Sequence, residues 1–315
     1  MTGVTPATAG SALPLCATAP VDPETLAVSK VRTGNCGDPR LFGQSVEVVN
    51  SPILQTNNAS LSINSLNPTS GQTEYGPVVM TYASLSDTRP VMTSGEQWLW
   101  IYDVSTTKGP VLLQISEQSG AVADTIPMPS LYRPLLAADN GGVWIANSIG
   151  GSSAPALFYA AAGSSAPRVV VPSTDIPICW MVASGTGAWV GTGVQSCAKQ
   201  DVQRFVDDSD TPVFTTSGTY LPFTVVGNES DALWTMQYVS PSKEAIVRID
   251  PDTGTESVVA TVPAAALPNY LTLGGLVQGQ GAYFDGHLYL LEPPFHKNGY
   301  LGYASIVGVD VAPAG

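Results

Sequence analysis

The chain has 315 residues, 44% of them hydrophobic, which is enough apolar material for a sizeable core. Its 12 Lys and Arg against 25 Asp and Glu give a net charge of −13 with no concentrated basic segment, which argues against nucleic acid as a partner. The longest apolar runs are shorter than the roughly 18 to 20 residues that cross a bilayer, so no membrane span is predicted.

The N-terminal segment, residues 1–40, carries the first of two local cysteine pairs. Residues 1–15 lack the basic and apolar regions of a secretion signal, and we expect a flexible leader there. Cys16 with Cys36, and Cys179 with Cys197, lack the close spacing of zinc or redox motifs. We interpret them as two disulfides of an extracellular or cell-surface protein whose secretion signal lies outside this sequence. Free buried thiols are the alternative.

An internal repeat organises residues 41–315. Tryptophans in four hydrophobic strands share one register, 44, 45 and 45 residues apart. They are Trp100, Trp144, Trp189 and Trp234. A proline opens the strand before each of them, at Pro90, Pro134, Pro177 and Pro222. The alternating pattern and a period in the forties predict an all-β chain of four-stranded propeller blades, with the tryptophans packed between blades.

We predict a single β-propeller over residues 41–315 with six blades, seven being the alternative. One fourth strand is predicted at Glu256–Val262, after the turn at Ile249–Gly254. The last segment, residues 306–315, resembles a third strand and its turn, so the final blade lacks a fourth strand. An N-terminal strand, with Leu26–Val31 as the best candidate, is expected to fill this place and close the ring, held by the first disulfide.

The repeat also resembles a known group of proteins. Its order is proline, hydrophobic strand, Gly or Asp-Gly turn, hydrophobe-Trp-hydrophobe strand and an Ile-Asp-Pro-x-Thr-Gly-type turn. This order resembles the streptogramin-lyase-like and YVTN/NHL-like bacterial β-propellers, most closely over residues 89–262. The resemblance implies the fold, while the group includes lyases, extracellular sensor domains and propellers that only bind. Streptogramin lyases place histidines and acids around a magnesium ion, and the two histidines here, His287 and His296, do not match those positions.

A binding surface is predicted just before the blade-opening prolines. In a propeller the chain crosses there to an innermost strand, at one mouth of the central channel. The candidate ligand-binding residues are Arg89, Tyr132, Arg133, Asp175, Tyr220 and Tyr270. The two arginines can grip a carboxylate or phosphate of a small molecule or protein partner while the tyrosines stack beside it. Alternatively, each arginine pairs with an acid of a neighbouring blade, such as Asp87 or Asp175.

A metal site is the second candidate. Its residues are Asp285, His287, Glu292 and His296, because imidazole and carboxylate together suit Zn²⁺ or a similar divalent ion. Solvated or backbone-bonded histidines are the alternative, and no other cofactor is expected. The local sequence motifs of common hydrolases, nucleotide-binding proteins and zinc proteases do not occur.

Two functions of different class follow. The first is an extracellular propeller that binds a ligand or protein partner at the channel mouth, as the sensor portion of a larger protein. The alternative is a secreted metal-dependent lyase or hydrolase of the streptogramin-lyase-like type. The sequence leaves open whether the chain is an enzyme.

Overall fold

In the part of the chain that the computed structural model describes, all the regular secondary structure is β-strand. That part holds no helix, and hence none that could span a membrane. The structure describes the strands named below and residues 91–95, 97–104, 109–116, 119–132, 134–147, 157–172, 177–194, 199–218, 221–227 and 232–263. The chain divides into two compact units: an N-terminal unit of residues 7–174, and a C-terminal unit of residues 175–315 with residues 1–6.

Most strands of the N-terminal half form antiparallel sheets of two, four or five strands. In chain order they are β1 (Thr2–Gly3), β2 (Ala17–Thr18), β3 (Arg32–Thr33), β4 (Asp38–Phe42), β5 (Ser45–Asn50), β6 (Ser60–Leu66), β7 (Thr73–Glu74), β8 (Val78–Thr81), β9 (Val91–Ser94), β10 (Trp98–Asp103), β11 (Val111–Ser116), β12 (Val122–Pro127), β13 (Pro134–Ala138), β14 (Gly142–Asn147), β15 (Leu157–Ala161) and β16 (Arg168–Val171). Strands β9–β12 and β13–β16 form two four-stranded sheets, β4–β8 form a five-stranded sheet, and β2 pairs with β3.

The C-terminal unit holds one four-stranded sheet and one eight-stranded sheet. Its strands are β17 (Ile178–Ser184), β18 (Gly187–Val194), β19 (Lys199–Val206), β20 (Phe214–Gly218), β21 (Leu221–Gly227), β22 (Leu233–Ser240), β23 (Lys243–Ile249), β24 (Glu256–Pro263), β25 (Gly279–Phe284), β26 (His287–Leu291), β27 (His296–Lys297), β28 (Tyr300–Leu301) and β29 (Ile306–Asp310). Strands β17–β20 form the smaller sheet. The larger one has the order β1-β29-β26-β25-β21-β22-β23-β24, in which β21 and β25 pair in parallel, and β27 pairs with β28.

An N-terminal strand occupies the fourth place beside β29. Thr2 lies opposite Val307 and Gly3 opposite Ile306, so β1 is the outer neighbour of β29. The expected candidate for this place, Leu26–Val31, lies outside the described residues. The strand thus comes from a part of the N-terminal segment that was expected to be a flexible leader.

The repeated tryptophans are core residues, as the sequence predicted. Trp100, Trp144, Trp189 and Trp234 lie in the second strand of four successive groups of strands, β10, β14, β18 and β22, and are at most 2% exposed. The first strand of these groups begins at or beside the repeated proline, since β13 starts with Pro134 and β17 directly follows Pro177. A strand's first residue needs no ladder donor, which explains the proline there.

Apolar side chains join consecutive sheets within each unit. In the N-terminal unit, Trp100 and Leu112 belong to one buried cluster with Val143 and Phe158 of the next sheet. An equivalent cluster in the C-terminal unit joins the β17–β20 sheet, through Trp189, to β22 and β23. Burial of large apolar side chains in these clusters is the main stabilising contribution.

Polar contacts also join consecutive sheets. Each is made by a residue of the third strand that lies opposite the repeated tryptophan of the second strand. Gln114 lies opposite Trp100, and its Oε1 accepts a hydrogen bond from Gly163 N at 3.0 Å in a turn of the next sheet. Arg204 lies opposite Trp189, and its Nε donates to Pro251 O at 3.0 Å, again in a turn of the next sheet. We call these contacts the Gln114 tie and the Arg204 tie.

A buried aspartate fixes the turn before Trp144. Asp139 is 6% exposed; its Oδ1 accepts hydrogen bonds from Gly141 N and Gly142 N, and its Oδ2 accepts one from Trp144 Nε1 at 2.6 Å. The equivalent position before Trp100 is Gly95, where an added Cβ would lie 2.7 Å from the Asp139 carbonyl oxygen. Consequently, no side chain fits there that could bind the Trp100 indole.

Candidate ligand-binding site

A short crossing loop, Met128–Tyr132, carries the chain from β12 to β13, where the sequence predicted the channel mouth. Its backbone begins with a hydrogen bond from Met128 N to Pro110 O at 3.0 Å. The side chains of Met128 and Leu131 are each 7% exposed and belong to the buried cluster beneath. The loop is therefore anchored by two buried apolar side chains, at its first and fourth residues.

The hydroxyl of Tyr102 fixes the middle of the crossing loop. It donates a hydrogen bond to Pro129 O at 3.0 Å and accepts one from Leu131 N at 2.9 Å. Burial raises the pKa of Tyr102 above its ordinary value, more than the hydrogen bond from Leu131 lowers it. The hydroxyl therefore stays protonated at neutral pH and keeps both its donor and its acceptor role.

The side chain of Asn147 fixes the last residue of the loop. This asparagine ends β14, is 3% exposed, and its Oδ1 accepts a hydrogen bond from Tyr132 N at 3.3 Å. The Tyr132 side chain, in contrast, is 56% exposed. A large, amphipathic ring is thus presented to solvent by a backbone already held in one conformation, which lowers the entropy cost of binding through it.

The other predicted ligand-binding residues lie outside the described residues. They are Arg89, Arg133, Asp175, Tyr220 and Tyr270. Their positions in the chain still follow from the strands: Arg133 stands between Tyr132 and the first residue of β13, and Tyr220 directly precedes β21. The predicted clustering of these residues around a ligand remains a prediction.

Three residues of the predicted metal site stand in the sequence at or beside the ends of β26, and the fourth begins β27. His287 is the first residue of β26 and Asp285 precedes it, whereas Glu292 follows the strand and His296 begins β27. Their side chains lie outside the described part of the chain. Within that part, no group of three or more His, Cys, Asp or Glu could hold a metal ion. The four-residue metal site stays a prediction.

Of the four cysteines, the structure describes one. Cys179 lies in β17, is 1% exposed and is not a free thiol. Cys16, Cys36 and Cys197 lie outside the described residues, so both predicted pairings stay predictions.

Sequence reasoning missed the two residues that fix the crossing loop. Tyr102 and Asn147 follow Trp100 and Trp144 by two and three residues, at the end of the second strand. A polar residue recurs three positions after each repeated tryptophan, as Asp103, Asn147, Thr192 and Gln237. This recurrence is a signal that could have directed attention to the strand ends.

Comparisons with known proteins bear on the fold alone. No protein-family model matches the chain, and no curated protein is similar enough to match it. A Desulfotomaculum acetoxidans protein of unknown function has 16% identity and a TM-score of 0.51, covering 86% of this chain and 84% of that one. A chain of the mitotic checkpoint complex has 13% identity and a TM-score of 0.50, covering 99% and 90%.

Other similar solved structures include β-propeller folds. Among them is Kuenenia stuttgartiensis hydrazine synthase, with 12% identity and a TM-score of 0.48, covering 81% of this chain and 75% of that one. The four-stranded antiparallel sheets described above are consistent with the predicted β-propeller. The resemblance to the streptogramin-lyase-like group is not confirmed by these comparisons.

Proposed function

We propose that the protein is a non-catalytic extracellular β-propeller that binds an organic anion or an acidic group of a partner at its channel mouth. The observation that carries the proposal is the exposed Tyr132 ring on a crossing loop fixed by Tyr102 and Asn147. Tyrosine presented in this way is typical of binding surfaces, because it offers a large contact area at little entropic cost.

The adjacent residue gives the ligand its chemical class. Arg133 directly follows Tyr132, and Arg89 precedes the equivalent proline of the sheet before. Only 12 of 315 residues are basic, so two arginines before blade-opening prolines are unexpected in a solvated surface. A planar guanidinium beside an aromatic ring suits a carboxylate or phosphate attached to a planar or apolar body.

The finer architecture is part of the same proposal. Six blades, closed by β1 beside β29, account for the repeat, and the chain then encloses one channel. Two disulfides would accompany export. In support, Ala17 of β2 lies opposite Thr33 of β3, and in the sequence Cys16 directly precedes Ala17 while Cys36 follows Thr33 by three residues.

A thermal-shift and calorimetric screen against small carboxylates and phosphates tests the binding proposal. We expect a ligand whose affinity falls at least tenfold in Tyr132→Ala and in Arg133→Ala. The melting temperature of Tyr132→Ala should stay within about 2 °C of the parent, because the Tyr132 side chain is exposed. Val169→Ala is the matched control, since this valine is also exposed, at 45%, on β16. A ligand that binds all three variants equally would refute the crossing loop as its site.

Native mass spectrometry of the non-reduced protein tests the alternative function, a metal-dependent enzyme. It also tests the extracellular location, through the two disulfides. A retained, chelator-sensitive metal would favour the metal-dependent enzyme. A mass increase on reduction corresponding to four hydrogens would support the two disulfides, and no increase would contradict them.

A further inference from the structure

The last strand of each of four successive groups of strands is an edge of its sheet. Strands β12, β16, β20 and β24 end their sheets, and no described strand pairs with their outer sides. Every second backbone N–H and C=O of an edge strand points away from the sheet and can pair with another extended chain. The four edges differ in the features that oppose such pairing.

Three of the edges are interrupted. Each of the strands β12, β16 and β24 pairs with the third strand of its group, and in each pair the register shifts once. Such a shift bends the edge strand and breaks its row of hydrogen-bonding groups. Each of these strands also contains a charged residue: Asp124 in β12, Arg168 in β16 and Glu256 in β24. Charges on an edge strand oppose the addition of a further strand.

The fourth edge, β20, has neither device. It pairs with β19 in unbroken register, from Arg204 opposite Phe214 to Gln200 opposite Gly218. Its sequence, Phe-Thr-Thr-Ser-Gly, holds no charge and no proline. The one irregular contact, Val213 N to Arg204 O at 2.7 Å, falls before the strand begins. An even, uncharged edge of this kind favours strand addition.

The edge is also held in place. The Phe214 ring meets the Trp189 ring edge-on at a centroid distance of 5.2 Å, and Gly254 of the next sheet lies against it, since an added Cβ there would be 3.0 Å from the ring. Thr215 and Val213, in contrast, are exposed. A peptide that pairs with β20 therefore meets a preformed strand.

Charge distinguishes the two ends of this edge. The turn that leads into β20 carries Asp207, Asp208 and Asp210, of which Asp208 and Asp210 are exposed. In an antiparallel partner, the C-terminal end lies beside the first residue of β20 and hence beside this turn. A Lys or Arg at that end would find an opposite charge.

We propose that the outer edge of β20 binds an extended peptide segment of a partner, antiparallel to β20, with a basic residue at its C-terminal end. A second copy of this chain is the poorer occupant. Five paired residues bury far less than the about 800 Å² per partner of a stable interface between folded proteins, and copies with a net charge of −13 repel each other.

Selection from a phage-displayed library of random twelve-residue peptides tests this proposal. We expect enriched peptides to share a β-branched stretch followed by Lys or Arg. Their synthetic forms, measured by fluorescence anisotropy, should lose at least tenfold in affinity with Thr215→Lys. Thr261→Lys on β24 is the matched control and should change the affinity less than twofold, since Thr261 is also an exposed threonine of an outermost strand. Asp208→Asn should weaken binding and reduce its salt dependence.

Other outcomes would overturn the proposal. These are a selection without enrichment, an equal loss of affinity with both lysine variants, or a concentration-dependent dimer that Thr215→Lys dissociates. If Thr215→Lys does not fold, Val213→Lys tests the same edge from an exposed position. Tyr132→Ala should leave peptide affinity unchanged, which separates failure here from failure of the proposed function.

Discussion

The hydrogen bond between Trp144 and Asp139 can be measured by comparing two tryptophans in the same register. Trp144→Phe and Trp100→Phe remove the same atoms from two side chains that are both 0% exposed, so the loss of packing should be similar in the two variants. Trp144 Nε1 donates to Asp139 Oδ2 at 2.6 Å, whereas within the described part of the chain Trp100 Nε1 has no hydrogen-bond partner.

The expected difference follows from these contacts. A hydrogen bond to a charged group contributes about 1.5–3 kcal/mol net, and Trp144→Phe loses one. Trp100→Phe loses none and removes a buried N–H whose desolvation costs stability. The free energy of unfolding should therefore fall by at least about 1.5 kcal/mol more in Trp144→Phe than in Trp100→Phe. Each phenylalanine variant should lose less free energy of unfolding than the corresponding alanine variant, for which a loss of about 3–5 kcal/mol is expected.

Urea unfolding followed by far-UV circular dichroism is the suitable assay, because tryptophan fluorescence itself changes in these variants. Asp139→Asn alone and combined with Trp144→Phe completes a double-mutant cycle, with an expected coupling energy of about 1.5–3 kcal/mol. Equal losses in the two phenylalanine variants, or additive losses in the cycle, would refute the inference that this hydrogen bond stabilises the sheet.

Two further predictions concern a buried acid and the crossing loop. Burial raises the pKa of Glu244 above its ordinary value of 4.5, so its charged form destabilises the fold above the folded-state pKa, and this penalty disappears as pH falls below 4.5. Glu244→Gln should accordingly raise the melting temperature at pH 7.5 and leave it unchanged near pH 4; a gain equal at both pH values would contradict this account. Tyr102→Phe removes the hydroxyl that binds Pro129 O and Leu131 N, so the Leu131 amide should exchange with deuterium at least tenfold faster by NMR. Unchanged exchange would show that other contacts fix the loop.

The strand pattern and much of the core could be predicted from the sequence because they repeat. The four tryptophans recur at nearly constant spacing, and each is buried in a second strand as predicted. The fourth strand predicted at Glu256–Val262 is β24, Glu256–Pro263, one residue longer. Local rules sufficed here, since alternation, turn residues and strand-opening prolines are all encoded within a few positions.

Features that depend on distant parts of the chain could not be predicted. Thr2–Gly3 is too short to show any alternation, so nothing in its sequence indicates that it pairs with β29. The parallel pairing of β21 with β25 has no local signal either. The hydroxyl of Tyr102 finds its partners 27 and 29 residues along the chain, in the crossing loop that follows β12. The sequence could therefore indicate Tyr132 as a candidate but not the contacts that hold it.

The Gln114 and Arg204 ties bear on how the molecule comes apart. The Gln114 side chain accepts a hydrogen bond and the Arg204 side chain donates one, yet both join a third strand to a turn of the following sheet. Interactions that reach only the adjacent repeat make stability a sum of nearest-neighbour contributions. Within each unit, two sheets joined by a tie should therefore open together, and cooperativity in unfolding resides in pairs of consecutive sheets, not in single ones.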